Sequence, residues 1–436
     1  MINKFRKNVK VSKDVGWLIP GLNVKRWLFL IFLGSVLMVL GFLIVFDIRP
    51  IYQIMELIRK AALILPTEII AIATIFIGAI VFFNGWKKTT LLLMDMDSYQ
   101  GSNYLLEKFY RRSKLNKGAK VVAIGGGTGL SMLLKGIKKY TNNITAVVTV
   151  GDDGGSSGRL REDMGVLPPG DIRNCIAALA DDDALITELF QYRFKNGEGL
   201  EGHSFGNLFL TALCAITGNM VKAVKESSKV LNICGDVFPA TLDDMKLVAE
   251  FTDGTIVKGE SHIPEEHKEI KQLLTEPANC QALPEVLDAI ESADLIILGP
   301  GSLYTSVIPN LLVSDIVDAI MASQAKKIYV CNIMTQPGET DNYSVASHIN
   351  ALINHAKGNK IIDAVLVNDS LPENISEGYA KTGSFPVRLD MENLASTGIT
   401  VVSQKLIQEN KEGLVRHSSN RVARAVYYWY KKSIKK

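Results

Sequence analysis

The stretch KVVAIGGGTGLSMLLKGIKKY, residues 120–140, decides the fold: a short β-branched run ends in three glycines and leads directly into an amphipathic pattern. This order predicts a buried strand followed by a helix from Leu130 to about Tyr140. Further short apolar runs lie at residues 144–150, 295–301, 327–333 and 364–370, with helical patterns such as 345–356 between them. The sequence therefore predicts an α/β fold with a mainly parallel, doubly wound sheet. A helix-rich insertion is expected from about residue 177 to 234, and the chain's last residues predict a final amphipathic helix with a basic end.

Two glycine-rich loops at predicted strand ends indicate a site for phosphate groups. The loop at residues 125–129 opens a helix, whose N-terminal N–H groups and dipole favour anions. The loop GPGSLYTS, residues 299–306, follows a later strand, and two such loops suit a diphosphate. Leu130 stands where a dinucleotide fingerprint has its third glycine, and no Gly-Lys-Ser/Thr follows, so a P-loop is excluded. The candidate ligand-binding residues of these loops are Gly125, Gly126, Gly127, Thr128, Gly129, Gly301, Ser302 and Tyr304.

Polar residues follow other predicted elements. In TVGDDGGSSGR, residues 149–159, Asp152 and Asp153 could accept bonds from ribose hydroxyls, hold Mg²⁺ beside phosphates, or only shape a turn. The segment PPGDIRNC, residues 168–175, places Asn174 on the first turn of a helix for which Asp171 is the expected N-cap. In HSFGNL, residues 203–208, no second His or Cys stands at ligand spacing, so no metal site is predicted there. The patterns identify no catalytic residue and no certain cofactor, although Mg²⁺ could accompany a phosphate-bearing ligand.

The N-terminal quarter predicts a transmembrane helical hairpin at residues 27–83. Residues 27–46 form an uncharged run of twenty, about 30 Å as a helix, and residues 63–83 form a second apolar run. Seven Lys and Arg precede the first run and more follow the second, so both termini are expected in the cytoplasm. We therefore expect a basic N-terminus at 1–26, a linker at 84–118 and a globular domain at 119–436, in a multi-pass cell-membrane protein.

Composition narrows the classes of function. The 436 residues carry a net charge of +3, so no overall basic field indicates nucleic-acid binding. The five cysteines are scattered without a C-x-x-C pair, which predicts reduced thiols rather than a disulfide framework or a Cys-rich zinc site.

Several motifs in this order resemble the gluconeogenesis factor family of the 2-phospho-L-lactate transferase superfamily. They extend from Lys120 to near Arg424 and read AIGGGTGLS, TVGDDGGSSGRLR, LPPGDIRNC, GHSFGNL, LGPGSLYTSVIPNLL and CNIMTQPGETD. The resemblance implies a Rossmann-like fold that binds a nucleotide-sugar such as UDP-N-acetylglucosamine. It also implies a role in carbon partitioning, supply of cell-wall precursors and cell shape. In the related transferases, the same cleft holds a flavin-type acceptor and a phosphate-bearing donor with magnesium.

Position by position, the resemblance implies diphosphate loops at residues 125–129 and 301–302. It implies polar cleft residues at Asp152, Asp153, Asn174 and Asn207, and nucleotide-sugar contacts at Tyr379 and Arg416. Ordinary members of the family are soluble, so the predicted hairpin is a departure from the pattern. The continuation GGSSGRLREDMGVLPPGD favours the gluconeogenesis factor branch, which weakens transfer of the catalytic activity.

Three hypotheses follow from these patterns. The leading one is a regulatory protein that binds a nucleotide-sugar and acts on an enzyme of cell-wall precursor synthesis, with a homo-oligomer as the expected assembly. The second is a magnesium-dependent transferase of phosphorus-containing groups, acting on a flavin-type acceptor. The third, a dinucleotide-dependent oxidoreductase, is disfavoured by the missing third glycine.

Overall fold

The computed structural model describes residues 114–180, 184–370, 379, 383–395, 397–409 and 415–435, with isolated positions among residues 32–80. The chain divides into two units, residues 1–114 and 115–436. Apart from those isolated positions, the predicted hairpin and the linker up to residue 113 lie outside the described residues. Within the described part, no single helix is long and apolar enough to cross a membrane. Two pairs of consecutive helices, each sharply bent at a short break, would meet that requirement together, by length and composition alone.

The second unit is built on a seven-stranded sheet, which confirms the predicted Rossmann-like α/β fold. Every neighbouring pair is parallel, in the order β3-β2-β1-β7-β8-β9-β10. The strands of this sheet are β1 (Val121–Gly125), β2 (Ile144–Val148), β3 (Asp236–Pro239), β7 (Leu295–Leu298), β8 (Lys326–Val330), β9 (Ala364–Asn368) and β10 (Thr400–Gln404). From β1 the chain builds outward to β3, and it then returns to the other side of β1 with β7. The strand order therefore reverses between β1 and β7, where open α/β sheets bind ligands.

Helices cover both faces of the sheet. The helices are α1 (Gly127–Ile137), α2 (Gly155–Met164), α3 (Pro169–Leu179), α4 (Ala184–Gln191), α5 (Phe205–Thr217), α6 (Met220–Val230), α7 (Pro284–Glu291), α8 (Ile308–Leu311), α9 (Ser314–Ala322), α10 (Val345–His355), α11 (Met391–Ala395) and α12 (Ser419–Ser433). A single π-helical turn, Leu303–Val307, precedes α8, and a 3₁₀ turn lies at Ile263–Glu266. Helix α1 begins three residues before the predicted start, because the glycine loop itself forms its first turn.

Alternation along the strands divides the core into two layers. In β1, Val122 and Ile124 belong to one buried cluster, whereas Val121 and Ala123 belong to the other. Because successive side chains of a strand point to opposite faces, a strand buried on both faces must be apolar throughout. All five residues of β1 are buried accordingly. The continuous apolar runs seen in the sequence are the direct consequence.

Two smaller sheets complete the unit. An antiparallel sheet has the order β5-β4-β6, formed by β4 (Lys246–Phe251), β5 (Ile256–Lys258) and β6 (Ile270–Glu276). A hairpin pairs β11 (Ile407–Glu409) with β12 (Val415–His417). The antiparallel sheet was not predicted, and it carries a residue of the site described next. The five cysteines are free thiols, as their spacing predicts.

Candidate functional site

The two glycine loops meet at the carboxyl ends of β1 and β7. A methyl group built on Gly129 would lie 2.6 Å from the carbonyl carbon of Pro300 and 2.8 Å from Cα of Gly301. No side chain fits at residue 129, so glycine is required for this close approach. Gly127 has a φ of +61°, in the left-handed region that favours glycine. The two loops that the sequence singled out are therefore in direct contact.

A cavity of about 260 Å³ opens beside these loops. It is lined by Gly127, Thr128, Gly129, Thr149, Asp152, Asp171, Glu260, Gly301, Ser302, Thr305 and Ser306. These residues come from the ends of β1, β2 and β7, from the start of α3, and from the loop after β5. Among the lining residues that the structure describes, none is Lys, Arg or His. The cavity is thus polar and acidic, with backbone N–H groups at one wall.

Burial and the charge of Asp152 raise the pKa values of two acids of the cavity, Glu260 and Asp171. The pKa of Glu260 is raised to about 8, mainly by burial. Repulsion from the negative charges of Asp152, Glu339 and Asp153 raises it further. Burial and the charge of Asp152 raise the pKa of Asp171 to about 6. Burial also raises the pKa of Glu339 to about 7; its carboxylate accepts from the N–H of Tyr304 and from the Thr305 hydroxyl, both at 3.3 Å. At neutral pH the Glu260 carboxyl is therefore mainly neutral.

Asp153 holds a loop rather than lining the cavity. Its two carboxylate oxygens accept from the backbone N–H groups of Glu260, at 3.0 Å, and Ser261, at 2.9 Å. This loop follows β5 and carries Glu260 into the cavity. The adjacent acids of the motif consequently differ in position: Asp152 faces the cavity, and Asp153 fixes the loop behind it.

Asp171 differs from the expected N-cap. Helix α3 begins at Pro169 with Pro168 as its N-cap. Proline suits the first turn because it lacks an N–H group, and N–H groups of the first turn have no acceptor within the helix. Asp171 is free to point out of its own helix and accepts from the N–H of Gly127 at 2.6 Å. It therefore occupies one of the N–H groups at the start of α1 and stands in the cavity wall.

Asn174 and Asn207 lie outside the lining of the cavity. Asn174 falls in the second turn of α3 rather than the first, and its side-chain oxygen accepts from Arg173 at 2.8 Å. Asn207 is 2 % exposed and donates to the Ser156 hydroxyl at 3.0 Å. That hydroxyl also bonds Nδ1 of His203 at 2.9 Å. Burial, and next the charge of Arg159, lower the pKa of His203, so its imidazole is neutral at pH 7. The hydrogen-bonded side chains of Asn207, Ser156 and His203 therefore support the acidic loop from behind without adding charge.

Tyr304, Tyr379 and Arg416 also lie outside the lining. The Tyr304 phenol is buried and bonds the hydroxyl of Tyr343 at 2.8 Å. Tyr379 receives a hydrogen bond from the N–H of Val415 at 2.9 Å, on the hairpin strand β12. Arg416 is exposed on the same strand. Of the residues proposed from sequence, Gly127, Thr128, Gly129, Asp152, Gly301 and Ser302 line the cavity, and Gly125 and Gly126 stand directly behind them.

Three lining residues were not predicted from the sequence, namely Thr149, Glu260 and Ser306. Asp171 was predicted only as a helix cap. Thr149, Asp171 and Ser306 lie inside motifs already noticed, so the glycine loops beside them were a usable signal. Glu260 lies outside every motif, 107 residues from Asp153 in sequence. No group of three or more His, Cys, Asp or Glu side chains within the described chain is arranged to hold a metal ion.

Comparison with known proteins now identifies the family. The family model of the 2-phospho-L-lactate transferase CofD matches residues 121–407. A gluconeogenesis factor of Bacillus subtilis is 49 % identical over 305 residues, covering 70 % of this chain and 96 % of the relative. The chain belongs to the gluconeogenesis factor family. An X-ray structure of a Bacillus halodurans protein, 46 % identical, has a TM-score of 0.69 and covers 71 % of this chain and 100 % of that chain.

The relatives of this chain differ in length. A Nostoc sp. protein named "Putative gluconeogenesis factor" is 49 % identical over 433 residues, covering 98 % of this chain and 95 % of its own length. That alignment includes the N-terminal unit, whereas the alignment with the Bacillus subtilis relative covers 305 residues, about the length of the second unit alone. The N-terminal unit is therefore shared with a similar relative, and the second unit exists elsewhere as a protein of its own.

Proposed function

We propose that the cavity binds the diphosphate of a nucleotide-sugar of the UDP-N-acetylglucosamine type. The observation that carries the proposal is the direct contact of the loops at residues 127–129 and 301–302. Their backbones converge at the start of α1, where helix geometry leaves N–H groups without acceptors inside the helix. Anions are stabilised at such a point by those donors and by the helix dipole.

The acids of the cavity set a condition for this binding. A diphosphate would be repelled by Asp152, Asp171 and Glu260 if all three were ionised. Protonation of Glu260, whose pKa is about 8, removes part of that repulsion at neutral pH. A Mg²⁺ ion that arrives with the diphosphate would neutralise more of the charge. The carboxylate of Asp152, which lines the cavity, is the candidate ligand for this ion.

The binding proposal is tested by calorimetric titration of residues 115–436 with UDP-N-acetylglucosamine, with and without Mg²⁺. Thr128 is exposed in the first turn of α1. The Thr128→Glu variant places a negative charge at the anion site, and the helix itself tolerates this charge because the dipole stabilises acidic side chains at its N-terminus. We expect Thr128→Glu to weaken binding at least about tenfold, since two like charges about 4 Å apart near a protein surface repel by roughly 1–4 kcal/mol. Thr128→Gln, of the same size without the charge, is the matched control. Equal binding by both variants would place the diphosphate elsewhere.

The proposed role is regulation rather than turnover. In this role the ligand-bound chain acts on an enzyme of cell-wall precursor synthesis and thereby adjusts carbon flux and cell shape. The family membership and the naming of relatives as gluconeogenesis factors support it. We expect bound UDP-N-acetylglucosamine to be recovered unchanged after long incubation, as measured by mass spectrometry; steady conversion would contradict the regulatory role.

A second candidate is a magnesium-dependent transferase of phosphorus-containing groups with a flavin-type acceptor. It is favoured by the description of the matching family model and by the presence of Asp152 and Asp171 in the same cavity as the glycine loops. Such an arrangement could bring a metal and a phosphate together. Product formation from a phosphate-bearing donor and a flavin-type alcohol, dependent on Mg²⁺ and lost in Asp152→Asn, would establish it.

We also propose that residues 27–83 anchor the chain in the cell membrane as a helical hairpin, with the second unit in the cytoplasm. The support is the uncharged run at residues 27–46 and the flanking Lys and Arg. The occurrence of the N-terminal unit in the Nostoc relative also supports a shared purpose for it.

A further inference from the structure

We propose that the amino-terminal edge of the large sheet, together with the end of α12, is a docking surface for an anionic lipid bilayer. This surface, named here the basic edge, consists of Lys117, Lys120, Tyr428, Lys431, Lys432 and Lys435. It lies outside the cavity, and the binding of a nucleotide-sugar does not enter the argument for it.

Contacts bring the two parts of the basic edge together. Lys120 stands at the start of β1, where its N–H donates to the carboxylate of Asp294 at 2.8 Å. Burial, and next the charge of the nearby Asp294, raise the pKa of Tyr430 in α12. Tyr140 and Tyr427 stack with ring centroids 4.7 Å apart. Helix α12 therefore ends at the edge of the sheet where the chain enters β1.

One face of α12 is buried and the other is basic. Val422, Ala423, Val426 and Tyr430 are buried against the core. The exposed stripe on the other face has helical spacing and consists of Arg424, Tyr428, Lys431 and Lys432, and the exposed Lys435 follows the end of the helix. Tyr428 is 72 % exposed, and Lys431 lies 5.4 Å from the centre of the Tyr427 ring. Exposed aromatic rings among lysines are typical of surfaces that lie at the membrane–water interface.

Among the described residues, the ammonium groups of the lysines of the basic edge form no salt bridge, and Asp294 accepts only from the backbone N–H of Lys120. Elsewhere in the unit, Lys258 pairs with Glu276 and Lys357 pairs with Asp318. Residues 115–436 contain 32 Lys and Arg against 38 Asp and Glu, so the basic edge is a positive surface on an acidic unit. Such a charge distribution orients a protein on an anionic bilayer.

The basic edge also decides which way the cavity faces. The cavity lies at the carboxyl ends of β1 and β7, and the basic edge lies at the amino end of β1. A five-residue strand spans about 17 Å, so the two features lie on opposite edges of one sheet. With the basic edge on lipid, the cavity opens toward the solvent and remains accessible to a soluble ligand or a soluble enzyme.

The test is vesicle flotation with residues 115–436, which fold as a unit because relatives of about this length exist on their own. We expect binding to vesicles of mixed phosphatidylcholine and phosphatidylglycerol but not to phosphatidylcholine alone. The Lys431→Gln, Lys432→Gln, Lys435→Gln variant should reduce the partition coefficient at least about tenfold, as expected for roughly 1 kcal/mol per lysine. Tyr428→Ala should cause a smaller loss.

The matched control replaces three exposed lysines outside the basic edge, as Lys195→Gln, Lys246→Gln, Lys405→Gln. It should float with the anionic vesicles like the unchanged unit. Equal losses in the two triple variants, or no flotation with anionic vesicles at low salt, would overturn the proposal. Binding to heparin without binding to anionic vesicles would assign the surface to an acidic polymer instead. None of these results depends on whether nucleotide-sugars bind.

Discussion

Asp152 and Asp153 are neighbours in sequence, yet the structure gives them different surroundings. Asp152 lines the cavity and accepts from the N–H of Gly154 at 3.0 Å. Both carboxylate oxygens of Asp153 accept hydrogen bonds from the backbone of the loop at residues 260–261. Substitution by asparagine keeps the size of each side chain and removes its charge. Comparing Asp152→Asn with Asp153→Asn therefore distinguishes the residue that faces the cavity from the residue that holds the loop.

We expect Asp153→Asn to lower the free energy of unfolding by about 1–3 kcal/mol, because it removes a charge-assisted hydrogen bond to a backbone N–H. Asp152→Asn should change it by less than about 1 kcal/mol, since the loss of one bond is offset by relief of its repulsion with Asp171 and Glu260. Urea unfolding at pH 7 measures both. A larger cost for Asp152→Asn than for Asp153→Asn would contradict this assignment.

Glu260 links the acidity of the cavity to stability. In the folded chain its pKa is about 8, against 4.5 for the ordinary side chain. Between these values the folded state binds more protons than the unfolded state, so this carboxyl makes the free energy of unfolding fall as pH rises from 4.5 to 8. Its cost is absent at pH 4 and complete above pH 8.

Glu260→Gln should therefore gain stability relative to the unchanged chain as pH rises. We expect the difference in free energy of unfolding between pH 5 and pH 9 to shift by about 1–3 kcal/mol in favour of the variant. Urea unfolding at several pH values measures it. The slopes due to Asp171 and Glu339 remain in both proteins, and Glu198→Gln, at an exposed glutamate, is the control. Parallel curves for Glu260→Gln would refute the raised pKa.

At the scale of elements, the large sheet could be predicted from sequence because its strands are buried on both faces. Five of its seven strands, β1, β2, β7, β8 and β9, coincide with runs recognised as strands. The edge strands β3 and β10 were missed, since an edge strand is shorter or less apolar: β10 has no fully buried residue. Helix ends differed by a few residues where glycine or proline forms the first turn.

The antiparallel sheet β5-β4-β6 escaped prediction for a different reason. Strand β4 alternates buried and partly exposed residues, and β5 has only three residues. Such short half-buried strands give a weak signal, and the loop that follows β5 has no glycine-rich signature that distinguishes it from a turn. The loop that carries Glu260 is held by N–H groups that donate to Asp153, and by the N–H of Gly259, which donates to the carbonyl of Leu247. Long-range contacts of this kind cannot be read from local pattern.

The packing of α12 on α1 provides a test at this scale. A methyl group on Gly136 would lie 2.7 Å from Cβ of Ala423 and 2.9 Å from the carbonyl carbon of Ser419. Helix propensity alone favours Gly136→Ala by about 1 kcal/mol. Because the two helices must move apart, we expect a net loss of about 1–3 kcal/mol in urea unfolding. Lys135→Ala, on the exposed side of α1, should stay within about 0.5 kcal/mol. A stabilised Gly136→Ala would show that the helices are not in close contact.

For the whole molecule, charge is distributed unevenly between the two units. Residues 1–114 carry 16 Lys and Arg against 7 Asp and Glu, whereas residues 115–436 are acidic overall. The near-neutral total of +3 conceals this difference. An N-terminal unit with basic flanks around apolar runs suits attachment to an anionic bilayer, and the basic edge of the second unit is also positively charged.

Cell fractionation separates the two modes of attachment. Charge attraction weakens as the Debye length falls to about 3 Å at 1 M salt, while a spanning helix is held by burial of about twenty apolar residues. We expect the full chain to stay in the membrane fraction through a wash in about 1 M salt and to need detergent for release. Residues 115–436 should bind membranes at low salt and be released by the same wash. If the full chain is also released by salt, residues 27–83 do not span the membrane and the attachment is electrostatic alone. If residues 115–436 never bind, the basic edge has another partner and the hairpin is the sole anchor.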